Sequence, residues 1–181
     1  GRSVELKLKG ALLEASGTMK LVVDSFFSVS GDFAIRYQTE TLKQLKDSIT
    51  SDVTVDLLTI GAENVTAFAG LNGGTANAVG LSLANAGFAL TVATSQTDST
   101  NTWIALTADA GSAGFVGPDS IKLSADSIKV NVNRPAGDGS LLNFSADPLV
   151  ITTGSSKTRT LNFSSADGAL TEASGNLQLN L

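Results

Sequence analysis

Acidic and amide side chains recur in this sequence directly behind an alanine, and their oxygen atoms are the ligands that calcium prefers. Calcium takes six to eight oxygen ligands at about 2.3–2.6 Å. If the repeat stacks, these side chains line up along one edge. The alternative is that they are solvated turn residues, because Asp and Asn are favoured in turns. The recurring residues are Glu63, Asn85, Asp109, Asp126, Asp147 and Asp167, of which we predict Asp109, Asp126, Asp147 and Asp167 as candidate calcium ligands.

Missing residue types exclude most catalytic chemistry. The chain contains no His and no Cys, which excludes Ser-His-Asp triads, thiol catalysis, imidazole metal sites, zinc ribbons and disulfides. Four acids lie outside the repeat, namely Asp24, Asp32, Asp52 and Asp56. A glycosidase would need two of them about 5–10 Å apart across a sugar cleft. Such clefts bring aromatic platforms, and the chain has one Trp and one Tyr. We expect no enzyme, and no cofactor apart from calcium.

Charge and hydropathy exclude two further classes of partner. The chain has 12 basic and 17 acidic residues, a net charge of −5 and a sequence pI near 4.6. This balance argues against binding nucleic acid through a basic face. The longest apolar runs fall far short of the ~20 residues of a membrane span, so we expect no membrane insertion. Because the chain begins with Gly1 and shows no signal peptide, we expect it to be a processed, excised or engineered piece.

The C-terminal end restarts the pattern of the N-terminal end. Residues 10–23 read GALLEASGTMKLVV and residues 168–181 read GALTEASGNLQLNL, with eight of 14 positions identical at an offset of 158 residues. This similarity indicates a tandem array with a period near 158. We interpret residues 1–181 as one elongated repeat unit in which 168–181 begins the pattern again, and we expect neighbouring copies to associate head to tail.

A finer repeat of about 21 residues lies inside the unit. Its mark is an alternating apolar run followed by Ala and an acidic or amide residue, and the marking alanines are Ala62, Ala84, Ala108, Ala125, Ala146 and Ala166. The runs alternate with period two, as in 128–132, which predicts half-buried strands. A short repeat cannot bury its own apolar face and must stack. We therefore predict an all-β fold, a β-solenoid-like stack of short strands with the Ala-Asp steps at its corners. The alternative is an antiparallel β-meander or sandwich with those steps as hairpin turns.

Local signals place the turns and leave one segment open. Turns are predicted at 72–74, 117–119 and 135–139, and a polar surface loop at 95–102. Residues 39–50 have helical spacing of Leu and Ile, which favours a short helix; the alternative is an excursion that ends in a strand at 53–55. Trp103 follows the polar loop, and we interpret it as a rim residue that covers the core rather than as a contact for a partner.

Three segments, 25–36, 58–92 and 114–134, resemble repeat units of very long bacterial extracellular proteins of the adhesin-like or calcium-binding kind. Their sequences are SFFSVSGDFAIR, LTIGAENVTAFAGLNGGTANAVGLSLANAGFALTV and GFVGPDSIKLSADSIKVNVNR. The resemblance implies a secreted or cell-surface protein with many copies in series. The expected function is a structural module that builds a stalk, fibre or surface layer. The alternative is an extracellular binding module for a glycan, a surface or calcium.

Overall fold

Successive side chains of a β-strand point to opposite faces of its sheet, and strands account for most of the described residues. The computed structural model describes residues 12–23, 25–117, 122–154, 157–166 and 168–180. Within these ranges there are ten β-strands and no helix. The strands are β1 Leu13–Val23, β2 Phe27–Lys46, β3 Ile49–Leu71, β4 Val79–Ser95, β5 Thr102–Val116, β6 Lys122–Arg134, β7 Leu141–Leu142, β8 Leu149–Thr152, β9 Thr158–Leu161 and β10 Leu170–Asn180.

Seven of these strands form one large antiparallel sheet in the order β1-β2-β3-β4-β5-β6-β10, which confirms the all-β prediction, and β8 and β9 form a separate two-stranded sheet. Each neighbouring pair is antiparallel, and β7 adds two residues beside β2. This is the order of the meander that the sequence left as the alternative, rather than of stacked solenoid rungs. Short links explain the order of β1 to β6, because a tight hairpin joins antiparallel strands whereas parallel strands need a long crossover.

Residues 39–50, for which a helix was weighed against an excursion ending in a strand at 53–55, form the hairpin of β2 and β3, which corrects the helix interpretation. Asp47 and Ser48 form its two-residue turn with φ of 50° and 66°, the left-handed conformation that a tight hairpin requires. Leu42 lies opposite Val53 in the register, and both side chains are buried. The segment forms a strand because this pairing buries Leu42 in the core, and that burial outweighs the local preference for a helix.

The first four Ala-Asp/Asn steps are not corners, which corrects the solenoid interpretation of the repeat. They lie inside long strands, where the chain continues through a bulge. Asn64, Asn85 and Ser127 adopt positive φ between 51° and 55° in mid-strand. The ladder registers shift at or beside these positions in β3 and β6. Asn tolerates this conformation, so the repeat marks a transverse crease across the sheet instead of a series of turns.

The two faces of the sheet differ. The described residues of 135–166, which we call the cover, contain β7, β8 and β9. They pack on one face of the sheet, on the side of the crease where β2 and β3 form their hairpin. This covered face carries the main core, which includes Val55, Leu57, Ala89 and Ala105. The opposite face, which we call the open face, has no layer of described residues on it. The close approach of the cover depends on Gly61, where a Cβ would collide with the backbone carbonyl of Thr152.

Trp103 lies in the centre of the core, which corrects its interpretation as a rim residue. It is 1% exposed, and its Nε1 donates to the carbonyl of Ser140 at 3.0 Å and to the Ser140 hydroxyl at 3.2 Å. Phe144 and Phe163 of the cover belong to the same core. Their two rings contact each other edge to face, with centroids 5.4 Å apart. The polar loop before Trp103 suggested the surface, but the folding of the cover over β5 buries it.

The predicted turns agree with the structure where it describes them. Turns or loops occupy 72–78, 96–101 and 135–140. Gly139 has φ of 81°, so the 135–139 turn uses a glycine for a left-handed position. Of the predicted turn at 117–119, residues 118 and 119 lie outside the described residues.

Candidate functional site

Both edges of the sheet end in related strands. In the described part of the chain, β1 pairs only with β2 and β10 pairs only with β6, so each has one edge without a backbone partner. These two strands contain the 158-residue sequence similarity. Unpaired strand edges are templates for pairing with another chain, and proteins usually shorten or cover them. Here each edge strand has 11 residues.

Apolar side chains line the open face from one edge strand to the other. On the outer strands they are substantially exposed, with Met19 at 44%, Leu21 at 47%, Leu177 at 73% and Leu179 at 57%. At the crease the face is best packed, where Ala62, Val65, Ala86 and Ala110 form a second small core. A continuous apolar surface of this kind marks an interaction site in a soluble protein.

A shallow apolar groove of about 350 Å³ lies on the open face, on the opposite side of the crease from the β2–β3 hairpin. Its lining is almost entirely apolar and comes from six strands of the sheet, β2 to β6 and β10. Representative lining residues are Phe27, Ala67, Leu81, Leu83, Leu123 and Leu177. The groove therefore reaches β10, so that the open face and the β10 edge adjoin each other.

An ion cluster on the covered face joins the cover to the crease. Arg159 of β9 donates through Nε and Nη2 to the two carboxylate oxygens of Glu63, each at 2.8 Å. The same guanidinium donates through Nη1 to Asp109 and through Nη2 to its second oxygen at 3.3 Å. Gly87 leaves the space for it, because a Cβ there would collide with the guanidinium. Two acids from the repeat positions are thus brought together by a single arginine.

The electrostatics of this cluster favour the charged forms. The Arg159 guanidinium beside it, acting mainly through its hydrogen bonds, holds the pKa of Glu63 below its usual value. Glu63 and, second, Asp109 raise the pKa of Arg159 in turn. The side chains of Arg159 and Glu63 are 19% and 18% exposed, so solvent screens this pair only in part. The cluster can fix the cover on the sheet.

The other predicted calcium ligands lie apart from this cluster. Asp126, in β6, accepts a hydrogen bond from the Asn176 side chain of β10 at 2.8 Å, and this bond lowers its pKa. Asp147 is exposed in the turn after β7, where its backbone N–H donates to the carbonyl of Asn143 at 3.3 Å. Asp167 lies outside the described residues. Within those residues no three acidic side chains converge as a metal site would require. Calcium binding at Asp109, Asp126, Asp147 and Asp167 stays a prediction.

Of the four acids weighed for glycosidase chemistry, Asp24 lies outside the described residues, and the other three each have a partner. Asp32 accepts from Asn64 at 2.9 Å and from Thr18 at 2.7 Å, and these two bonds, the Asn64 bond first, lower its pKa. Lys43 contacts Asp52 at 2.5 Å on the neighbouring strand. Asp56 accepts from Gln96 at 2.9 Å. Asp32 and Asp52 thus connect neighbouring strands, and Asp56 connects β3 to the loop after β4.

A polar cavity of about 550 Å³ lies beside the ion cluster, between the sheet and the cover. Amide, hydroxyl and charged side chains line it together with one aromatic ring, and they include Asn85, Thr107, Asp109, Lys129, Asn131 and Phe163. Such a lining can offer hydrogen bonds to a polar ligand.

Sequence reasoning missed Arg159, whose partners are 96 and 50 residues away. No local sequence pattern indicates it, because a lone Arg in a polar segment is expected to lie on the protein surface. The crease was detectable, because the recurring Ala-Asp/Asn step carried the signal, although its interpretation as a corner was wrong.

The described residues define an open antiparallel sheet with one apolar face and, at each end, a strand that has one unpaired edge. No protein-family model, curated protein or solved structure matches the chain. No helix in the described ranges has the length and apolar character needed to cross a membrane. The functional interpretation therefore depends on the geometry of the edges, the open face and the covered face.

Proposed function

We propose that this chain is a structural module of a bacterial extracellular tandem array, which builds a stalk, fibre or surface layer by continuing its sheet from one repeat to the next. The observation that carries the proposal is the position of the repeated sequence. The two segments that match at an offset of 158 residues are β1 and β10, the two edge strands. A sheet whose ends are alike can be extended without limit, which is the heterologous, head-to-tail type of assembly.

The exposed surface supports an assembled working form. An isolated sheet with two long unpaired edges and an apolar face is prone to associate. In an array each edge would be internal except at the ends. The extracellular and bacterial parts of the proposal come from the resemblance of segments such as 58–92 to long adhesin-like proteins. Function would then lie in length and reach, with no chemical step.

The experiment that tests this function is the mass of the intact polypeptide in its native source, measured on a denaturing gel and by mass spectrometry. The proposal predicts a covalent chain of many times 18.4 kDa, with peptides of this sequence recurring along it. A native polypeptide near 18.4 kDa that remains monomeric in analytical ultracentrifugation would overturn the proposal.

The polar cavity on the covered face favours a second candidate, an extracellular binding module for a glycan. Lys129, Asn131 and Phe163 place a cation, an amide and an aromatic ring around one volume. A glycan array probed with the purified chain tests this function, with an Asn131→Ala variant as the matched control. Binding that disappears in the variant would support the module, and no binding to any glycan would refute it.

A further inference from the structure

We propose that β10 is a shared strand, which pairs with β6 of its own repeat and also with β2 of the following repeat. In that second pairing it occupies the position that β1 has here. This inference rests on the proposed array and specifies its junction. The partner is a second copy of this chain, and the pairing follows from the β1–β2 register shifted by 158 residues. Leu13 lies opposite Tyr37, and Leu21 lies opposite Val29. The shared strand would therefore place Thr171 opposite Tyr37 of the following repeat, and Leu179 opposite its Val29.

The faces of the two strands agree. Side chains directly opposite each other on paired strands lie on the same face of a sheet. The registers connect Leu21 of β1 to Leu177 of β10 across the whole sheet, through Val29, Ala67, Leu83, Ala113 and Ala125. Met19 and Leu21 of β1 point to the open face, as Leu177 and Leu179 of β10 do. Leu177 is also part of the apolar groove. A junction of this kind therefore continues the apolar face across repeats with no inversion.

The free edge of β10 is the one that β1 uses. In a strand of L-residues, strand direction and side-chain face together fix the edge toward which each N–H points. β1 and β10 run the same way, because both are antiparallel partners in one meander in which five strands separate them. β1 uses its edge toward the sheet, and β10 uses the opposite one. The N–H groups that β10 leaves free are therefore the equivalents of the β1 N–H groups that bond to β2.

The polar side chains on the other face are complementary at this junction. Glu14 of β1 lies opposite Arg36, with 3.8 Å between Oε2 and Nε. Its equivalent, Glu172, accepts from Asn131 at 2.7 Å and would meet Arg36 of the following repeat with its remaining acceptor capacity. Each side of the strand would then offer this carboxylate a donor.

A second pair shows the same arrangement. Thr18 of β1 donates to Asp32 at 2.7 Å. Its equivalent is Asn176, whose Nδ2 donates to Asp126 at 2.8 Å. An amide group has two hydrogens, so the second can serve Asp32 of the following repeat. The strand β10 is therefore suited to acids on both sides, whereas Thr18 has a single hydroxyl donor.

Hydrogen exchange tests the shared strand in a two-unit chain, made by following residues 1–181 with a second copy of 24–181. In the single unit, β10 bonds only β6, so about half of the amides in 170–180 are protected. In the two-unit chain we expect nearly all amides of the first β10 to be protected, while the last β10 keeps the pattern of the single unit. Identical exchange in both copies of β10 would overturn the inference.

Cross-linking tests the register in the same two-unit chain, which has no native Cys. Lys20 lies opposite Ser30 in β1–β2, so a Gln178→Cys substitution should cross-link with Ser30→Cys in the second copy. The matched control pairs Gln178→Cys with Ser28→Cys, two residues out of register on the same face. Preferential cross-linking of the first pair supports the register, and equal or reversed yields overturn it.

These results separate the junction from the array. A native chain of many repeats whose two-unit form shows an unprotected first β10 would leave the array standing and overturn the shared strand. A native chain of unit mass would overturn the array, whereas protection in the two-unit chain would still measure the pairing itself.

Discussion

The ion cluster of Arg159 makes the cover dependent on one side chain. In the Arg159→Met variant the alkyl stem remains, but the two hydrogen bonds of 2.8 Å to Glu63 are lost. A double-mutant cycle with Glu63→Gln isolates this pair from the rest of the cluster. Hydrogen bonds to charged groups contribute about 1.5–3 kcal/mol each when well shielded. Because both side chains retain nearly a fifth of their exposure, we expect a coupling free energy of about 2 kcal/mol.

Urea unfolding followed by tryptophan fluorescence is the assay for this coupling. Trp103 is the single Trp and lies buried beneath the cover, so its emission reports the undocking of the cover directly. The control cycle uses Arg36→Met and Glu14→Gln, a pair 3.8 Å apart with side chains 43% and 45% exposed. Exposed pairs of this kind couple by less than about 1 kcal/mol.

The pH dependence of the coupling has a defined sign. The folded-state pKa of Glu63 is lowered, so its contribution to stability is present above the unfolded value near 4.5 and is lost as the pH falls through the lower folded value. The coupling should therefore be full at pH 7 and shrink in acid. A coupling below about 0.3 kcal/mol at pH 7, within the usual limit of additivity, would refute the role assigned to the cluster.

Three further outcomes are expected. Gly61→Ala should lower the free energy of unfolding by about 1–3 kcal/mol by pushing the cover off the sheet, whereas Gly17→Ala, with open space around it, should be nearly neutral in the same urea titration. The hydrogen bonds to Asp138, from Ser140 first and then Lys46, lower its pKa to about 2, so the melting temperature of the parent should fall between about pH 3.8 and 2 more steeply than that of Asp138→Asn. If the predicted calcium ligands act, millimolar calcium should raise the melting temperature relative to chelator, and an unchanged value would end that hypothesis.

Local pattern carried the part of the fold that depends on neighbouring residues. Alternation in segments such as 128–132 predicted strands, and the Asn-Gly-Gly sequence at 72–74 predicted a turn, because both follow from backbone preferences and side-chain period. The 158-residue similarity was also visible in sequence. Its location at the two sheet edges was not, since strand order depends on long-range pairing.

The interpretations that failed concern tertiary context. Ala84-Asn85 has the chemistry of a turn, yet antiparallel neighbours on both sides keep the strand continuous, so the left-handed Asn85 becomes a bulge. Trp103 follows a polar loop, and only the folding back of the cover makes it central. Arg159 carries no local signal at all. Each of these depends on residues far away in the chain.

The increase in particle length with each added repeat tests the central claim most directly. A period of 158 residues adds six strands, β2 to β6 and β10, which at about 4.8 Å per strand extend the sheet by about 29 Å. Small-angle scattering and negative-stain images of chains with one to four repeats should show a linear increase of that size at constant cross-section. A length that grows as the square root of the number of repeats would mean separate units on flexible links, and would contradict a continuous sheet.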